Sequence, residues 1–187
     1  MIRTFEFVSG SPALDLVDTV SGRDRTKTEL LVDTDALSAW LMQASLMPAD
    51  GIPLLAGDVE SVRSLREAIF ACAAAALDRR PLPSAALALI NAAAAAPPLR
   101  LQLVGGKVVC RADNGFAAIL STLAEDALRL FVEPTIERLR ACRECRMLFI
   151  DRSRPGRRRW CSSSSGCGNR AKVRNYRTRK EEARRDE

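Results

Sequence analysis

The chain has 187 residues, 47% of them hydrophobic, and a formal net charge of +6, and it contains no histidine. That length holds one ordinary domain plus a small module. Without histidine, Ser–His–Asp triads and Cys–His nucleophile pairs are excluded, and the longest apolar run, Ala68 to Leu77, is too short to span a bilayer.

The charge is unevenly placed. Residues 1–135 carry 12 Lys+Arg against 16 Asp+Glu, whereas residues 136–187 carry 17 against 7, a split of −4 and +10. An acidic body with a basic C-terminal module points to a polyanionic partner for the module. The excess of 25 Arg over 4 Lys carries less weight, because an alanine-rich chain shows the same bias from base composition alone. The start, MIRTFEFVSG, has neither the apolar core nor the cleavage site of a secretory signal, so a cytoplasmic protein without membrane association is expected.

In chain order, Thr4 to Val8 alternates and predicts a strand. Ser11-Pro12 then reads as an N-cap with proline in the first turn, opening a short helix through Leu14, Val17 and Val20. Asp15 and Asp18 share a face of it and read as surface carboxylates. Ser21 to Glu29 is polar and reads as a loop. Asp33-Thr34 caps a helix whose apolar positions Leu37, Trp40, Leu41 and Ala44 follow helical spacing, which makes Trp40 a core residue. After a Pro- and Gly-rich connector, Asp58 opens a long amphipathic helix. Val62, Leu65, Ile69, Ala73 and Ala76 form its stripe; Arg63, Arg66 and Glu67 fall off it, and Cys72 reads as a small buried filler. Pro81-Leu82-Pro83 ends that helix, Ser84 caps the next, and the many alanines imply closely packed helices.

Leu99–Val104 and Lys107–Arg111 alternate around Gly105-Gly106, a strong hairpin signal. Gly105–Lys107 is not a phosphate loop, since no glycine stands upstream at the required distance and no Ser or Thr follows the lysine. Phe116 to Val132 is an amphipathic helix with Ile119, Leu123, Ala127 and Leu130 inward, stopped near Pro134. The short linker Thr135–Ala141 then holds whatever follows at a restricted angle to the body.

The remaining segment carries the chemistry. Cys142 and Cys145 form a C-x-x-C; fifteen residues separate Cys145 from Cys161, and five separate Cys161 from Cys167. Three readings are open for such thiols: a zinc site, disulfides, or a redox C-x-x-C. The start lacks a secretory signal and no thioredoxin-like βαβ pattern surrounds Cys142, which favours one structural zinc held by four cysteines. Met147–Ile150 and Arg158–Trp160, on either side of the turn Arg154-Pro155-Gly156-Arg157, predict the two strands of a zinc ribbon too small to fold without its metal. Beyond Cys167, Asn169 reads as the N-cap of a helix on which Val173 and Tyr176 pack onto the ribbon, while Arg170, Arg174 and Arg177 share another face. The positive end of that helix faces a thiolate–zinc centre of formal charge −2.

The run Cys142-x-x-Cys145, Leu148-Phe149-Ile150-Asp151-x-Ser153-Arg154, Arg158-Arg159-Trp160-Cys161-Ser162 and Cys167-Gly168-Asn169-Arg170-x-Lys172 resembles the CGNR zinc finger of bacterial proteins. The segment LDLVDT at Leu14–Thr19 resembles the opening of the ABATE domain that precedes this finger. The resemblance implies a stress-induced transcription regulator, with DNA or RNA binding inferred for the finger. One departure is the five residues from Ser162 to Gly166, where the family carries four.

The fold expected is α+β but mainly α. A helical N-terminal domain with a small β-hairpin spans 1–135, a zinc-ribbon-like finger with a basic helix spans 136–180, and 181–187 is a charged tail that frays. No catalytic site assembles, because a zinc held by four thiolates has no open position for water and the serines of Ser162–Ser165 have no base; a non-enzyme is expected. Arg152, Arg154, Arg157, Arg158 and Arg159 on the ribbon, with Arg170, Lys172, Arg174, Arg177, Arg179 and Lys180 on the helix, are the candidate contacts to DNA or RNA phosphates. Trp160, next to a ligand in so small a module, reads as core rather than as a ring that stacks on a base. The alternative is a module that docks on an acidic protein. The N-terminal domain is a candidate for a small-molecule effector, for which the sequence names no pocket residues, and it gives no oligomeric state.

Overall fold

The computed structural model describes residues 5–24 and 26–183. Among these residues, five α-helices form the body and a sixth follows it, with three separate two-stranded antiparallel hairpins between them.

Helix α1, Pro12–Val17, starts as its sequence requires. Ser11 is extended and its hydroxyl accepts from the Leu14 amide at 3.4 Å, while Pro12 occupies the first turn. Although only six residues long, α1 is a central element, with Ala13, Leu14, Leu16 and Val17 all buried. Asp126, from a later helix, accepts from the Ser11 hydroxyl and from the Ala13 amide at 2.9 Å, and so ties the start of α1 to the far side of the core.

Asp33 caps α2, Thr34–Gln43, through a 2.7 Å bond from the Ala36 amide, and Trp40 is fully buried. Helix α3, Ala56–Leu77, is about 33 Å long at 1.5 Å per residue. It begins two residues before Asp58, whose carboxylate instead accepts from the Leu55 amide at 2.8 Å. Helices α4, Ser84–Ala94, and α5, Gly115–Leu130, pack on α3 and on each other. Alanines let these backbones approach: Ala73, Ala118, Ala124 and Ala127 are all buried, as is Cys72. Pro83 stands at the cap of α4 and Ser84 is already helical, so the expected serine cap is not made.

The Gly-Gly hairpin is as expected. Strands β3, Arg100–Val104, and β4, Lys107–Arg111, pair in full register around Gly105 and Gly106, both at positive φ, as a type I′ turn needs. Before them, β1, Val20–Ser21, and β2, Thr28–Glu29, form a short hairpin where the sequence reads as loop from Ser21 to Glu29; Val20, expected in the first helix, is in β1, because α1 ends at Val17. Conversely, Phe5–Val8 is in no strand and has no ladder partner among the described residues, and Thr4 lies outside them. Phe5 and Phe7 contribute rings instead, Phe7 lying 6.1 Å from Trp40.

Two sequence expectations about charge are overturned. Arg66 is not on the solvent side of α3 but 3% exposed, because its guanidinium reaches Glu29 with two bonds of 2.7 Å and also meets Glu67 and Thr19. Asp15 is buried rather than superficial: it accepts from the Ser9 amide, but burial outweighs that bond and pushes its carboxyl up from the ordinary value. Asp18 is pushed up well above that value, first by burial and then by Asp15 and Cys161 nearby.

After α5 a turn of 3-10 helix, Ile136–Arg138, leads into β5, Leu139–Ala141, which pairs with β6, Leu148–Ile150. The segment read as a linker, Thr135–Ala141, is therefore a 3-10 turn followed by a strand. Arg158–Trp160, expected as the partner of β6, is not in a strand. The 142–147 turn closes β5 onto β6 instead, and Arg158–Trp160 returns as irregular chain held to that turn by the Arg143 amide, which donates to the Arg159 carbonyl. The last helix, α6, runs from Cys167 to Ala183, so Glu181–Ala183 continue it, and residues 184–187 lie outside the described residues. No helix among the described residues is long and apolar enough to cross a membrane.

Candidate metal centre

The β5–β6 turn builds the first half of the centre. The Cys142 amide donates to the Met147 carbonyl at 2.8 Å, the Arg146 amide returns to the Cys142 carbonyl at 3.0 Å, and Arg146 adopts a left-handed φ of 62°. Cys142 and Cys145 thereby sit on one knuckle. The Arg143 amide donates to the Arg159 carbonyl at 3.1 Å, which lays the returning chain along the knuckle and delivers Cys161. Cys167 is the first residue of α6, so Asn169 is inside the helix rather than its cap; the Asn169 and Arg170 amides both bond back to Gly166.

All four sulfurs lie within 4.8 Å of one another, and Cys145 and Cys161 are 3.6 Å apart. A tetrahedral zinc with bonds of about 2.3 Å places its sulfurs about 3.8 Å apart. None of the four is in a disulfide, three are buried, and Cys145 is half-buried. The donor set fits one structural zinc. Taken as thiols, the four compete for protons. Cys161 accepts from Cys145 and is pushed down to about 4, while Cys145, as donor, is pushed far up by the same bond and by burial. A divalent cation replaces those protons with a charge that all four thiolates share. Cys72 and Cys110 are outside the cluster; Cys110 donates to the Ser45 carbonyl, and burial pushes both thiols up.

The five-residue loop between Cys161 and Cys167 is part of the centre. Ser163 Oγ lies 3.1 Å from the Cys161 sulfur, Ser165 Oγ lies 3.2 Å from the Cys167 sulfur, and the two hydroxyls are 2.7 Å apart. Sequence reasoning missed these serines, having asked only whether they had a catalytic base. Gly166, at φ 61°, turns the loop into the helix. Cys167 is the first residue of α6, so the positive end of the helix lies at that ligand, and the Arg170 guanidinium donates to Cys167 Sγ at 3.4 Å.

Around the sulfurs, Phe149 is fully buried, with the Arg158 guanidinium 4.6 Å above its ring. Asp151, also buried, accepts from the Ser153 and Arg158 amides at 2.9 and 2.8 Å. Burial works against its charge, but those bonds prevail and hold the carboxyl below its ordinary value. Trp160 is half-buried against the cysteine cluster, in keeping with the core reading.

The candidate nucleic-acid residues fall into two groups. Arg158 is engaged, donating to the Trp160 carbonyl and to Ser162, and Arg152 donates to the Gly10 carbonyl at 2.6 Å. Arg154, Arg157 and Arg159 are exposed on the loop before Cys161. On α6, Arg170, Lys172, Arg174, Arg177, Arg179 and Lys180 are all exposed, and Arg170, Arg174 and Arg177 line one face as expected. Arg174 makes a two-pronged ion pair with Glu144 of the knuckle at 2.6 and 3.0 Å. Val173 and Tyr176 do not pack on the finger: they are 43% and 61% exposed, because Cys167 and Ala171 already seat the first turn and the helix leaves the body beyond them.

Comparison with known families agrees with this geometry. The ABATE family, described as "Putative stress-induced transcription regulator", matches residues 10–134, and the CGNR zinc finger matches residues 138–180. No curated protein matches the chain.

Proposed function

Since the chain belongs to the ABATE family and continues into a CGNR zinc finger, we propose that it is a cytoplasmic, non-enzymatic transcription regulator whose zinc-folded finger binds DNA or RNA. The observation that carries this reading is α6. From Gly168 to Lys180 it holds six Lys and Arg and no acid, and from Lys172 to Glu181 every residue is exposed. A helix that buries only its first turn is not there to complete a core. Rooted on a metal centre, it presents a rigid cationic rod of a width that a major groove accepts. Arg154, Arg157 and Arg159 add charge near its base. Arg152 and Arg158, spent on the carbonyls of Gly10 and Trp160, contribute to the fold before they contribute to phosphate binding.

The test is binding of zinc-loaded protein to duplex DNA, single-stranded RNA and an acidic control protein across a salt series. With about five or six phosphates neutralised, log K against log salt falls with a slope of roughly −5 on duplex DNA and less steeply on single strands. An absence of affinity for either nucleic acid at low salt, with retention on the acidic protein, would overturn the reading in favour of protein docking.

A further inference from the structure

Strand β3 is paired on one edge only. Alternate residues of an antiparallel strand direct their N–H and C=O to opposite edges. The turn at Gly105-Gly106 makes Val104 and Lys107 a hydrogen-bonded pair, and the alternation makes Gln102 and Val109 the next. Leu101 and Leu103 therefore aim their backbone groups away from β4. The other edge of the hairpin fixes the same phase: Cys110, across from Leu101, offers its carbonyl outward to the Ala49 amide at 2.9 Å. The β4 edge is thus held against the body, and the ion pair of Arg111 with Asp50 adds to that hold. Among the described residues, no hydrogen bond reaches the outward groups of Leu101 and Leu103. The side chains are as open as the edge. Every residue of β3 is exposed, and Leu101 and Leu103, at 70% and 75%, are the most exposed large apolar side chains among the described residues. Val108 shares their face and is exposed as well. Edges that stay unpaired are blunted by proline, a charge, a bulge or a covering segment. From Leu101 to Val104 there is neither proline nor charge, and the full register leaves no bulge.

The segment that fits this edge is β3 itself. Its core, Leu101-Gln102-Leu103, reads the same in both directions. Laid antiparallel on a second copy, Leu101 faces Leu103 of that copy, Gln102 faces Gln102, and Arg100 faces Val104. The outward groups of both leucines then meet those of the second copy as hydrogen-bonded pairs, and the leucines gather on one face. No like charges stand opposite each other, and Arg100 is already paired with Asp113. A slip of one residue would set Leu101 against Gln102, whose backbone groups point to β4, so the phase of the ladder excludes it. We propose that β3 pairs with β3 of a second copy about a twofold axis at Gln102, joining two hairpins into one four-stranded sheet. A strand edge is a small interface, so the dimer should dissociate in the range of about 1–100 μM. This pairing does not depend on the nucleic-acid reading.

Sedimentation equilibrium of the zinc-loaded full chain, kept reduced, tests it. The unaltered protein should pass from monomer to dimer across that concentration range. Leu103→Pro removes an amide that the hairpin does not use, and it should leave the chain monomeric throughout. Gln102 is exposed, so its substitution spares the fold and gives the sharper test. Gln102→Lys and Gln102→Glu each set like charges against each other across the axis, and each should weaken the dimer about fivefold at low salt. An equimolar mixture of the two sets unlike charges there and should associate at least as tightly as the unaltered protein. A chain that stays monomeric up to about 500 μM overturns the proposal and leaves the edge to a strand of another protein. Self-association that Leu103→Pro leaves intact, or that mixing the two Gln102 variants does not restore, places the contact elsewhere and overturns it too.

Discussion

The body and the finger are stabilised by different physics. The body buries Trp40, Leu14, Leu37, Leu65, Ile69, Ile119 and their neighbours in one contiguous core. The finger's own cluster is four cysteines around Phe149, with Met147 and Trp160 only partly covered. Apolar burial is distributed, so the body tolerates many small losses, whereas the finger concentrates its stability in one ion. The hairpin between them belongs to both. Leu139 of β5 and Leu148 of β6 are in the body's core, while the turn joining those strands carries two zinc ligands. The Ile150 amide also donates to the Ser9 carbonyl at 2.8 Å.

Removing zinc should break the comparison most sharply. Structural zinc contributes about 10–16 kcal/mol in isolated finger peptides, so chelation, or Cys161→Ser, is expected to melt residues 142–167 and release α6. Far-UV signal from α2 to α5 should survive, with a lower Tm because Leu139 and Leu148 lose their anchor. A complete loss of helix would mean that the body cannot stand without the finger. Joint replacement of Cys72 and Cys110 by alanine should leave one zinc per chain by metal analysis.

Trp40→Ala makes the reciprocal cut. Truncating a fully buried aromatic costs about 3–5 kcal/mol, enough to lower the body's melting transition well below the unaltered protein's. The finger should still bind one equivalent of zinc, since no cysteine ligand packs in that core cluster. Loss of metal along with the body would show that docking, not coordination alone, holds the finger.

These contrasts also explain what could be read in advance. The helices of the body follow from periodicity and caps, and Ser11, Asp33 and the Gly105-Gly106 turn are used as their residue types imply. The four ligands follow from spacing, with histidine absent. The pairing of β5 with β6 was not legible, because Leu139-Arg140-Ala141 is only three residues long and its alternation is too short to tell from a spacer; its register is set by the knuckle, which is visible only in three dimensions. Arg66 was misplaced for a related reason. Its partner Glu29 is 37 residues away on a hairpin too short to announce itself. The serines of the Cys161–Cys167 loop looked like filler because a hydroxyl beside a sulfur has no spacing rule.

Those serines give a smaller test of the finger. Groups that hydrogen-bond to metal ligands commonly change affinity by about 10–100-fold when removed. Both hydroxyls are near the surface, so Ser163→Ala or Ser165→Ala should weaken zinc about tenfold, at the lower end of that range, as read by chelator competition. The body's melting should be unaffected. An unchanged zinc affinity in both variants would reduce the loop to a tether.

The smallest effect expected lies at the ion pair between Arg174 and Glu144. Arg174 shares its face of α6 with Arg170 and Arg177, yet its charge is already met by a carboxylate of the knuckle. A phosphate must therefore displace Glu144 before Arg174 contributes, whereas among the described residues no side-chain hydrogen bond or ion pair engages the Arg177 guanidinium in this way. Arg177→Ala should accordingly weaken duplex binding more than Arg174→Ala, and it should flatten the salt slope by about one unit. Glu144→Gln should do the opposite. It frees Arg174 and removes a like charge from the phosphates' path, so binding should tighten about two- to threefold at low salt, the size of an exposed pair. The gain should vanish in the double variant Glu144→Gln with Arg174→Ala, apart from what the lost acid contributes through its field. If Glu144→Gln instead loosens binding, the pair serves to orient α6 on the knuckle, and the rod's angle matters more than the charge it releases.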